Sequence, residues 1–268
     1  MMLRAPIKSM LAGVLALGLV AGSSAPAEAD LVDDIVQRGE LRVAVQTQGP
    51  PISFVNAEGK RTGFAVDLAR RLADDMGVDL KLMDYEWKGL IPALLSGKAD
   101  MIAADMTPSV KRSLKISFTQ PVFYERVVAF TTEGSAYDSL DKLNQEGVSI
   151  AATQGSTHYQ IAQDQFPKAT VKEYAGGGPA VAQAVSAGRA DVGVNNAGSV
   201  RGFLREFDGL ASIEGTLRRD PLSFAVRPEN THMMQVLNNY VTLLEVRGQL
   251  DDIREYWWNS DAWRQEHM

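Results

Sequence analysis

The stretch that most plainly carries chemistry is "MIAADMTPSVKR", residues 101–112. It begins as a predicted apolar strand, which is followed by an acid, a hydroxyl and a guanidinium at Asp105, Thr107 and Arg112. A guanidinium offers a carboxylate a planar fork of donors and keeps its charge, and a hydroxyl adds a further hydrogen bond. These residues are therefore candidates for a polar site at the end of the strand. The alternative is a solvated loop with an incidental ion pair.

A second polar stretch is "QGSTHY", residues 154–159. Ser156 and Thr157 stand at a predicted helix N-terminus, where free backbone N–H groups and the helix dipole favour an anion. Ser156 either contacts a ligand directly or only caps its helix. His158 follows Thr157 and is a further candidate for ligand contact.

The sequence gives little support for a metal site or for a catalytic nucleophile. The three histidines, His158, His232 and His267, have no metal-ligand spacing, and no nucleophile lies beside a base. We therefore predict no metal, no cofactor and no covalent catalysis. An acid such as Asp105 or Glu86 can still be nominated as a general acid, so an enzyme remains the alternative to a binding protein.

The first 29 residues have the pattern of a cleavable secretory signal peptide. A basic start is followed by the apolar run "MLAGVLALGLV" and by Ala27-Glu28-Ala29, which predicts cleavage before Asp30. The chain has no cysteine, which excludes a disulfide framework and a lipid on an N-terminal cysteine. We expect a periplasmic protein that is secreted and is not a lipoprotein.

Composition describes a globular protein that does not bind nucleic acid. Of 268 residues, 45% are hydrophobic and 22% charged, and the formal net charge is -6. Residues 1–29 carry two cations and one acid, so their removal makes the charge -7. A net negative charge argues against nucleic acid as a partner.

Short apolar runs alternate with amphipathic segments of helical period after Asp30, which predicts an α/β fold. Predicted strands are 41–45, 79–83, 101–104, 148–152, 170–174 and 191–194. Predicted helices are 65–77 and 89–97, three that follow Ser156, Pro179 and Gly198, and two more at 232–248 and 250–258.

An internal repeat links the two halves of the chain. "ALLSGKADMIAADM" (93–106) and "AVSAGRADVGVNNA" (184–197) share a helix end, a capping glycine, a cation, Ala-Asp and a strand. Eight places after the glycine stands Asp105 in one copy and Asn196 in the other. Two similar lobes would then place polar groups at the carboxyl ends of equivalent strands, where open α/β sheets bind ligands. The alternative is a chance likeness between two helix-turn-strand units.

Taken together, these motifs resemble the extracellular solute-binding proteins of family 3, the amino-acid receptors of ABC importers. The resemblance runs in family order over nearly the whole chain after Asp30. Its segments are "GELRVAV" (39–45), "PPISFVNAEGKRTGFAVDLARRLADDMG" (50–77), "WKGLIPALLSGKADMIAADMT" (87–107), "FTQPVFYERVV" (118–128), "QGSTHY" (154–159) and "AVSAGRADVGV" (184–194).

This resemblance implies a type II periplasmic-binding-protein fold, with two α/β lobes and the ligand between them. Two crossover segments, near 129–133 and 215–223, would join the lobes. Lobe one would take residues 30–131 and 222–268, and lobe two residues 132–221. The implied partners are a small ligand, an amino acid or a derivative, and an inner-membrane ABC permease. We expect the protein to be a monomer.

The resemblance also implies roles for single residues. Arg112 stands where the family grips the ligand α-carboxylate, and Thr107 is placed to donate a hydroxyl hydrogen bond. Trp87 matches a position that stacks an aromatic ring on the ligand, although a tryptophan there can instead be ordinary packing. Thr157 and Asn196 would close on the ligand from lobe two.

Four positions depart from the family pattern. Gln46 and Gly49 replace an aspartate and a tyrosine that many relatives have after the first strand. The lobe-two aspartate that binds the ligand ammonium corresponds to Asn196, whereas Asp105 occupies a lobe-one position more often held by glycine or serine. Asp105 either supplies the countercharge for an amine or pairs with a neighbouring cation, Arg112 or Lys111.

The predicted function is a periplasmic substrate-binding protein that captures an amino acid or related carboxylate by lobe closure. The alternative is an exported enzyme on the same fold, similar to cyclohexadienyl or arogenate dehydratase. Against the enzyme, lobe two offers Asn195 and Asn196 and no carboxylate at the predicted site.

Overall fold

The structure is a computed structural model that describes residues 30–46, 49–260 and 262–268. The signal peptide predicted for residues 1–29 lies outside these ranges. The helices are Leu31–Arg38 (α1), Phe64–Met76 (α2), Trp87–Leu95 (α3), Val110–Ser113 (α4), Thr157–Gln165 (α5), Gly177–Ser186 (α6), Ala197–Glu206 (α7), Thr231–Val246 (α8), Gln249–Arg254 (α9) and Ala262–His267 (α10).

The strands confirm the predicted α/β alternation. They are Glu40–Val45 (β1), Phe54–Val55 (β2), Arg61–Thr62 (β3), Asp79–Asp84 (β4), Met101–Met106 (β5), Ser117–Phe118 (β6), Phe123–Thr132 (β7), Ser149–Thr153 (β8), Thr170–Tyr174 (β9), Val192–Asn196 (β10), Leu210–Ser212 (β11) and Arg218–Val226 (β12). A 3-10 turn covers Leu140–Lys142, and a π-helical turn at Glu255–Asn259 continues α9.

The main sheet has two parallel ends and an antiparallel centre. Its order is β4-β1-β5-β12-β7-β10-β8-β9, with β6 on β12 and β11 on β7, while β2 and β3 form a separate hairpin. β1 is parallel to β4 and β5, and β8 is parallel to β9 and β10. The long strands β7 and β12 pair antiparallel between these two ends. Each end is therefore one α/β lobe, and the two long strands connect them.

Each lobe has its own hydrophobic core. Lobe one packs α2, α8 and α9 against β1 and β5, and lobe two packs α5, α6 and α7 against β8 and β10. Along β7 the packing changes from the lobe-one core at Phe123 to the lobe-two cores at Val127. The lobe boundaries at residues 131 and 222 and the two crossover ranges remain predictions.

The internal repeat is visible in local geometry. Gly97 after α3 and Gly188 after α6 both take left-handed backbone angles, with φ of 71° and 67°. The aspartates that follow, Asp100 and Asp191, each accept a backbone N–H of the neighbouring strand at 2.8 Å, from β1 and β8 respectively. The two copies thus place β5 and β10 in equivalent positions.

Several element bounds differ from the sequence prediction. β5 extends past Ala104 to Met106, because Ser223 of β12 pairs with Met106 and prolongs the strand. α6 begins at Gly177, ahead of Pro179, since a proline is tolerated in the first helical turn. Asp105 therefore lies within a paired strand and not in the loop that follows it. No helix in the described ranges is long and apolar enough to cross a membrane.

Candidate ligand-binding site

Arg112 lies at the junction of the two lobes. Its helix α4 is capped by Ser109, whose Oγ accepts the Arg112 backbone N–H at 3.3 Å. The guanidinium donates from Nη1 to the Thr107 carbonyl at 2.6 Å and from Nη2 to the Gly155 carbonyl of lobe two at 3.3 Å. Its Cζ lies 5.4 Å from the ring centroid of Trp87. A lobe-one cation therefore reaches the loop that precedes α5.

The charge of Arg112 has no carboxylate partner within the described part of the chain. Both side-chain hydrogen bonds go to carbonyl oxygens. Burial lowers the pKa of Arg112 to about 10, against the opposing effect of Asp220. The guanidinium is still charged at neutral pH, and it is available to a carboxylate that enters the cleft.

Asp105 is the acid that the sequence singled out, and it is buried. It is the next-to-last residue of β5, only 8% exposed, with a φ of 52° that non-glycine residues rarely adopt. Glycine adopts this left-handed backbone freely, and aspartate is one of the few other residues that adopt it. Burial, with a smaller effect of Glu125, raises the pKa of Asp105 to about 8. Its Oδ2 has no hydrogen-bond partner.

Asp105 does not pair with its neighbouring cations. No ion pair joins it to Lys111 or Arg112, both of which the structure describes. The described residues thus show neither of these ion pairs, and the role of Asp105 towards a ligand stays a prediction.

Two further buried acids were missed by the sequence analysis. Asp220 of β12 and Glu125 of β7 are directly opposite in the strand register, and they are 3% and 4% exposed. Arg218 donates to Asp220 at 2.5 and 2.7 Å, and the Thr107 hydroxyl donates to it at 3.4 Å. The indole of Trp258 donates to Glu125 at 2.9 Å. The one available signal was an acid inside an otherwise extended strand segment, "FYERVV" or "RRDPLSF".

Lobe two contributes uncharged groups. Ser156 caps α5, with its Oγ accepting the backbone N–H of Tyr159 at 3.3 Å, and Thr157 is the half-buried first residue of that helix. His158 is buried, and its Nε2 lies 3.0 Å from Oδ1 of Asn196. Because an amide oxygen only accepts, Nε2 must carry the proton. Burial lowers the pKa of His158, so the ring is neutral.

Several buried polar atoms around this junction have no hydrogen-bond partner among the residues that the structure describes. Besides Oδ2 of Asp105 they include His158 Nδ1, Thr153 Oγ1, Asn195 Nδ2 and Ser199 Oγ, at the carboxyl ends of β8 and β10 and the starts of α5 and α7. Buried polar groups are normally hydrogen-bonded, and each unpaired group costs about 1–3 kcal/mol. Such a concentration of unpaired groups is typical of a site that binds a polar ligand.

Two more hydrogen bonds join the lobes next to Arg112. The indole Nε1 of Trp87 donates to the Gly155 carbonyl at 3.2 Å, and the Gly176 N–H donates to Oε2 of Glu86 at 3.0 Å. Glu86 is exposed, so this candidate general acid lies at the rim of the cleft. Trp87 is therefore both a ring beside Arg112 and a contact between the lobes.

The structure brings most of the predicted site residues together. The lobe-one and lobe-two groups are linked through Gly155 and through the electrostatic effects of Arg112 and Asp220 on His158. Gln46 is buried, 3% exposed, just after β1, the strand beside β5. Within the described ranges, no group of three histidine or acidic side chains is arranged to hold a metal ion.

Comparison with known proteins identifies the family. Residues 41–260 match the family model of the bacterial extracellular solute-binding proteins, family 3. The chain belongs to this family, as its sequence motifs predicted. The two-lobed type II periplasmic-binding-protein fold is confirmed by similar solved structures. One is the ancestral amino acid-binding protein AncCDT-1, a precursor of cyclohexadienyl dehydratase, with TM-score 0.79 and 29% identity over 85% of this chain and 99% of that one.

Curated relatives include binding proteins and an enzyme. The L-cystine-binding protein TcyJ of Escherichia coli (strain K12) is 26% identical, covering 95% of this chain and 97% of TcyJ. Cyclohexadienyl dehydratase of Pseudomonas aeruginosa is 24% identical, covering 90% of this chain and 91% of the enzyme.

Proposed function

We propose that this protein is the substrate-binding component of an ABC importer that captures an amino acid or a related small carboxylate-bearing solute. The observation that carries the proposal is Arg112, a half-buried guanidinium at the junction of the lobes whose hydrogen bonds within the described part of the chain go to carbonyl oxygens. Membership of family 3 and relatives named for amino-acid binding support the same function.

Capture proceeds by closure of the lobes. The open form binds the ligand on lobe one, where Arg112 meets the carboxylate, Thr107 adds a hydroxyl and Trp87 covers the ligand with its ring. Thr107 is bonded to Asp220 at 3.4 Å, a weak bond that a ligand oxygen can replace. Each charge-assisted hydrogen bond contributes about 1.5–3 kcal/mol, so a few of them reach the roughly 8 kcal/mol of micromolar binding.

Lobe two then adds uncharged groups to the ligand. Thr157 and Ser156 present the N-terminus of α5, whose free N–H groups favour the carboxylate. His158 and Asn196, already bonded to each other, offer an unpaired ring nitrogen and an amide. Gln46 supplies a further polar group from the end of β1. The closed form delivers the ligand to an inner-membrane permease.

The protein acts in the periplasm as a monomer, exported by a cleavable signal peptide and without a lipid anchor. This part of the proposal rests on the sequence pattern of residues 1–29 and on the family. N-terminal sequencing of the exported protein should begin at Asp30. A soluble exported protein that retains Met1 would contradict the signal-peptide assignment.

Dehydratase activity is the second candidate function, because one curated relative is a cyclohexadienyl dehydratase. Asp105, protonated at neutral pH, is the group that favours it as a general acid. Binding without catalysis is better supported, because TcyJ, of which the match covers 97%, is named as a binding protein. Incubation with prephenate or arogenate separates the two: the proposal predicts no aromatic product, and steady product formation would establish an enzyme.

Ligand identity is tested by a thermal-shift screen followed by calorimetry. The screen covers the twenty protein L-amino acids, L-cystine, glycine betaine, opines and small carboxylates. We expect a carboxylate-bearing compound to raise the melting temperature by several degrees, with a dissociation constant in the micromolar range or below. If no carboxylate-bearing compound in the screen raises the melting temperature or binds in calorimetry, the proposed function is wrong.

A further inference from the structure

We propose, resting on the proposed function, that the ligand is a zwitterion whose cationic nitrogen binds the carboxylate of Asp105. Lobe one then holds both charged ends of the ligand, the carboxylate on Arg112 and the cation on Asp105. Lobe two contributes only uncharged groups.

Asp105 stands apart from the other buried acids. Asp100, fully buried just before the same strand, is paired with Arg38 and Arg42 at 2.6 and 2.7 Å. Asp220 is held by Arg218 at 2.5 and 2.7 Å. This chain therefore provides cations for acids that it buries permanently. In the described ranges, no cation is paired with Asp105, and its Oδ2 has no hydrogen-bond partner.

Glu125 is the other buried acid without a cation paired to it, but its oxygens are satisfied. The backbone N–H of Arg126 and the indole of Trp258 donate to it, each at 2.9 Å. A desolvated carboxylate that lacks such donors is costly unless a cation meets it. The geometry therefore assigns the ligand cation to Asp105 and not to Glu125.

Two comparisons among the described residues leave Asp105 to bind the ligand cation: the nearby arginines are bonded to other groups, and the equivalent strand end in lobe two carries no charge. Arg112 is engaged with two carbonyl oxygens and Arg218 with Asp220, so neither is bonded to Asp105. At the equivalent strand end in lobe two stand Asn195 and Asn196, which carry no charge. Of the equivalent ends of β5 and β10, the end of β5 therefore carries the acid, Asp105, that can bind a ligand cation.

Proton exchange follows from this arrangement. The titratable groups around the cleft are Glu125 on β7, Asp220 on β12, Arg112 on α4 and His158 on α5, and Glu125 is the one that acts on Asp105. With a pKa raised to about 8, the Asp105 carboxyl is protonated at pH 7. Because a cation binds the ionised form, binding at pH 7 should release a proton, and affinity should rise from pH 6 to pH 8.

The test uses matched pairs of probes and calorimetry. Each protein amino acid that binds is compared with the acid that lacks its α-amino group, for example L-alanine with propanoate, L-leucine with 4-methylpentanoate and L-phenylalanine with 3-phenylpropanoate. Where the side chain also carries a cation, the comparison acid lacks that cation as well. Titrations at pH 7 in phosphate, HEPES and Tris, whose ionisation enthalpies differ, count the protons released. Asp105→Asn is the test variant, because asparagine tolerates the same left-handed backbone. Asp74→Asn, the same substitution at an exposed position of α2, is the control.

The proposal predicts that an amino acid binds at least 30-fold more tightly than its deaminated acid and releases close to one proton. In Asp105→Asn this preference should shrink at least tenfold and the proton release should vanish, while Asp74→Asn should behave as wild type. If an amino acid and its deaminated acid bind equally, or if only deaminated acids bind, the cation assignment is overturned and the proposed function stands. If no carboxylate of either kind binds, the proposed function and this inference fail together.

Discussion

Arg112 and Trp87 of lobe one donate to the same atom of lobe two, the carbonyl oxygen of Gly155, from Nη2 at 3.3 Å and from Nε1 at 3.2 Å. The guanidinium also lies over the indole, 5.4 Å from its centroid. The group proposed to hold the ligand carboxylate is thus part of the contact that joins the lobes. Ligand capture and lobe closure are therefore linked through one cation.

Removing the indole N–H should weaken closure without removing the ring. Trp87→Phe loses the hydrogen bond to Gly155 but keeps a ring under Arg112, so we expect binding to weaken about 3- to 10-fold, the value of one net hydrogen bond. Trp87→Ala also loses the ring and should weaken binding further. Calorimetry with an amino acid that binds in the screen measures the affinities of wild type and of the two variants. Wild-type affinity in Trp87→Ala would place this residue outside the site.

A methyl group at position 202 should hold the lobes apart. A Cβ on Gly202 of α7 would lie 2.7 Å from the carbonyl oxygen of Pro50 in lobe one, which is closer than real Cβ contacts. Alanine favours the helix itself, so lobe two should stay folded. We expect Gly202→Ala to bind at least tenfold more weakly and to lose the decrease in radius of gyration that ligand produces in X-ray scattering.

Gly89→Ala is the matched control for this variant. Gly89 is also helical, but its Cβ would meet Tyr85 at 3.6 Å, an ordinary contact. Closure should be normal in this control. Normal closure in Gly202→Ala as well would show that the Pro50 approach does not limit the motion.

Local sequence signals were sufficient for much of the fold. The β9 strand occupies residues 170–174 as predicted, and the glycines at 97 and 188 end their helices in the left-handed conformation that glycine favours. The spacing of apolar residues and the capping of helices depend on residues that are neighbours in the chain, so both can be predicted from a single sequence. The extension of β5 to Met106 was not predictable, because it depends on pairing with β12, more than a hundred residues away.

The same distinction applies to the candidate site. Arg112, Trp87 and Asp105 were found from residue type and family resemblance, since each lies in a recognisable motif. Glu125 and Asp220 were missed because they come together only through the register of β7 and β12. The shared contact of Arg112 and Trp87 with Gly155 was also invisible, since it forms only when the lobes meet.

Asp105→Asn should stabilise the ligand-free protein at high pH. The folded state holds the Asp105 proton up to a pKa of about 8, whereas the unfolded state releases it near the usual 3.8. The contribution of Asp105 to stability therefore falls as pH rises from 4 to 8. We expect the variant to equal wild type at pH 5 and to exceed it by roughly 1–3 kcal/mol at pH 8.5 in urea unfolding. A difference that is the same at both pH values would contradict a buried, unpaired acid.

His158 should destabilise the protein on the acid side. Burial holds its pKa below the usual 6.5, so the unfolded state takes up a proton that the folded state does not. Stability should therefore be lost as pH falls below about 6.5. In urea unfolding between pH 5 and 7, His158→Gln should therefore show a shallower pH dependence of the unfolding free energy than wild type. Equal slopes in the two proteins would contradict the lowered pKa of His158.

The central claim is that Arg112 binds a ligand carboxylate, and calorimetry of Arg112→Ala with an amino acid that binds the wild type tests it most directly. The account predicts at least a 100-fold loss of affinity, about 3 kcal/mol, with the fold intact by circular dichroism, because two charge-assisted hydrogen bonds are lost. Arg112→Lys should recover only part of it, since an ammonium cannot form the bidentate fork. Affinity in Arg112→Ala close to that of wild type would contradict the account.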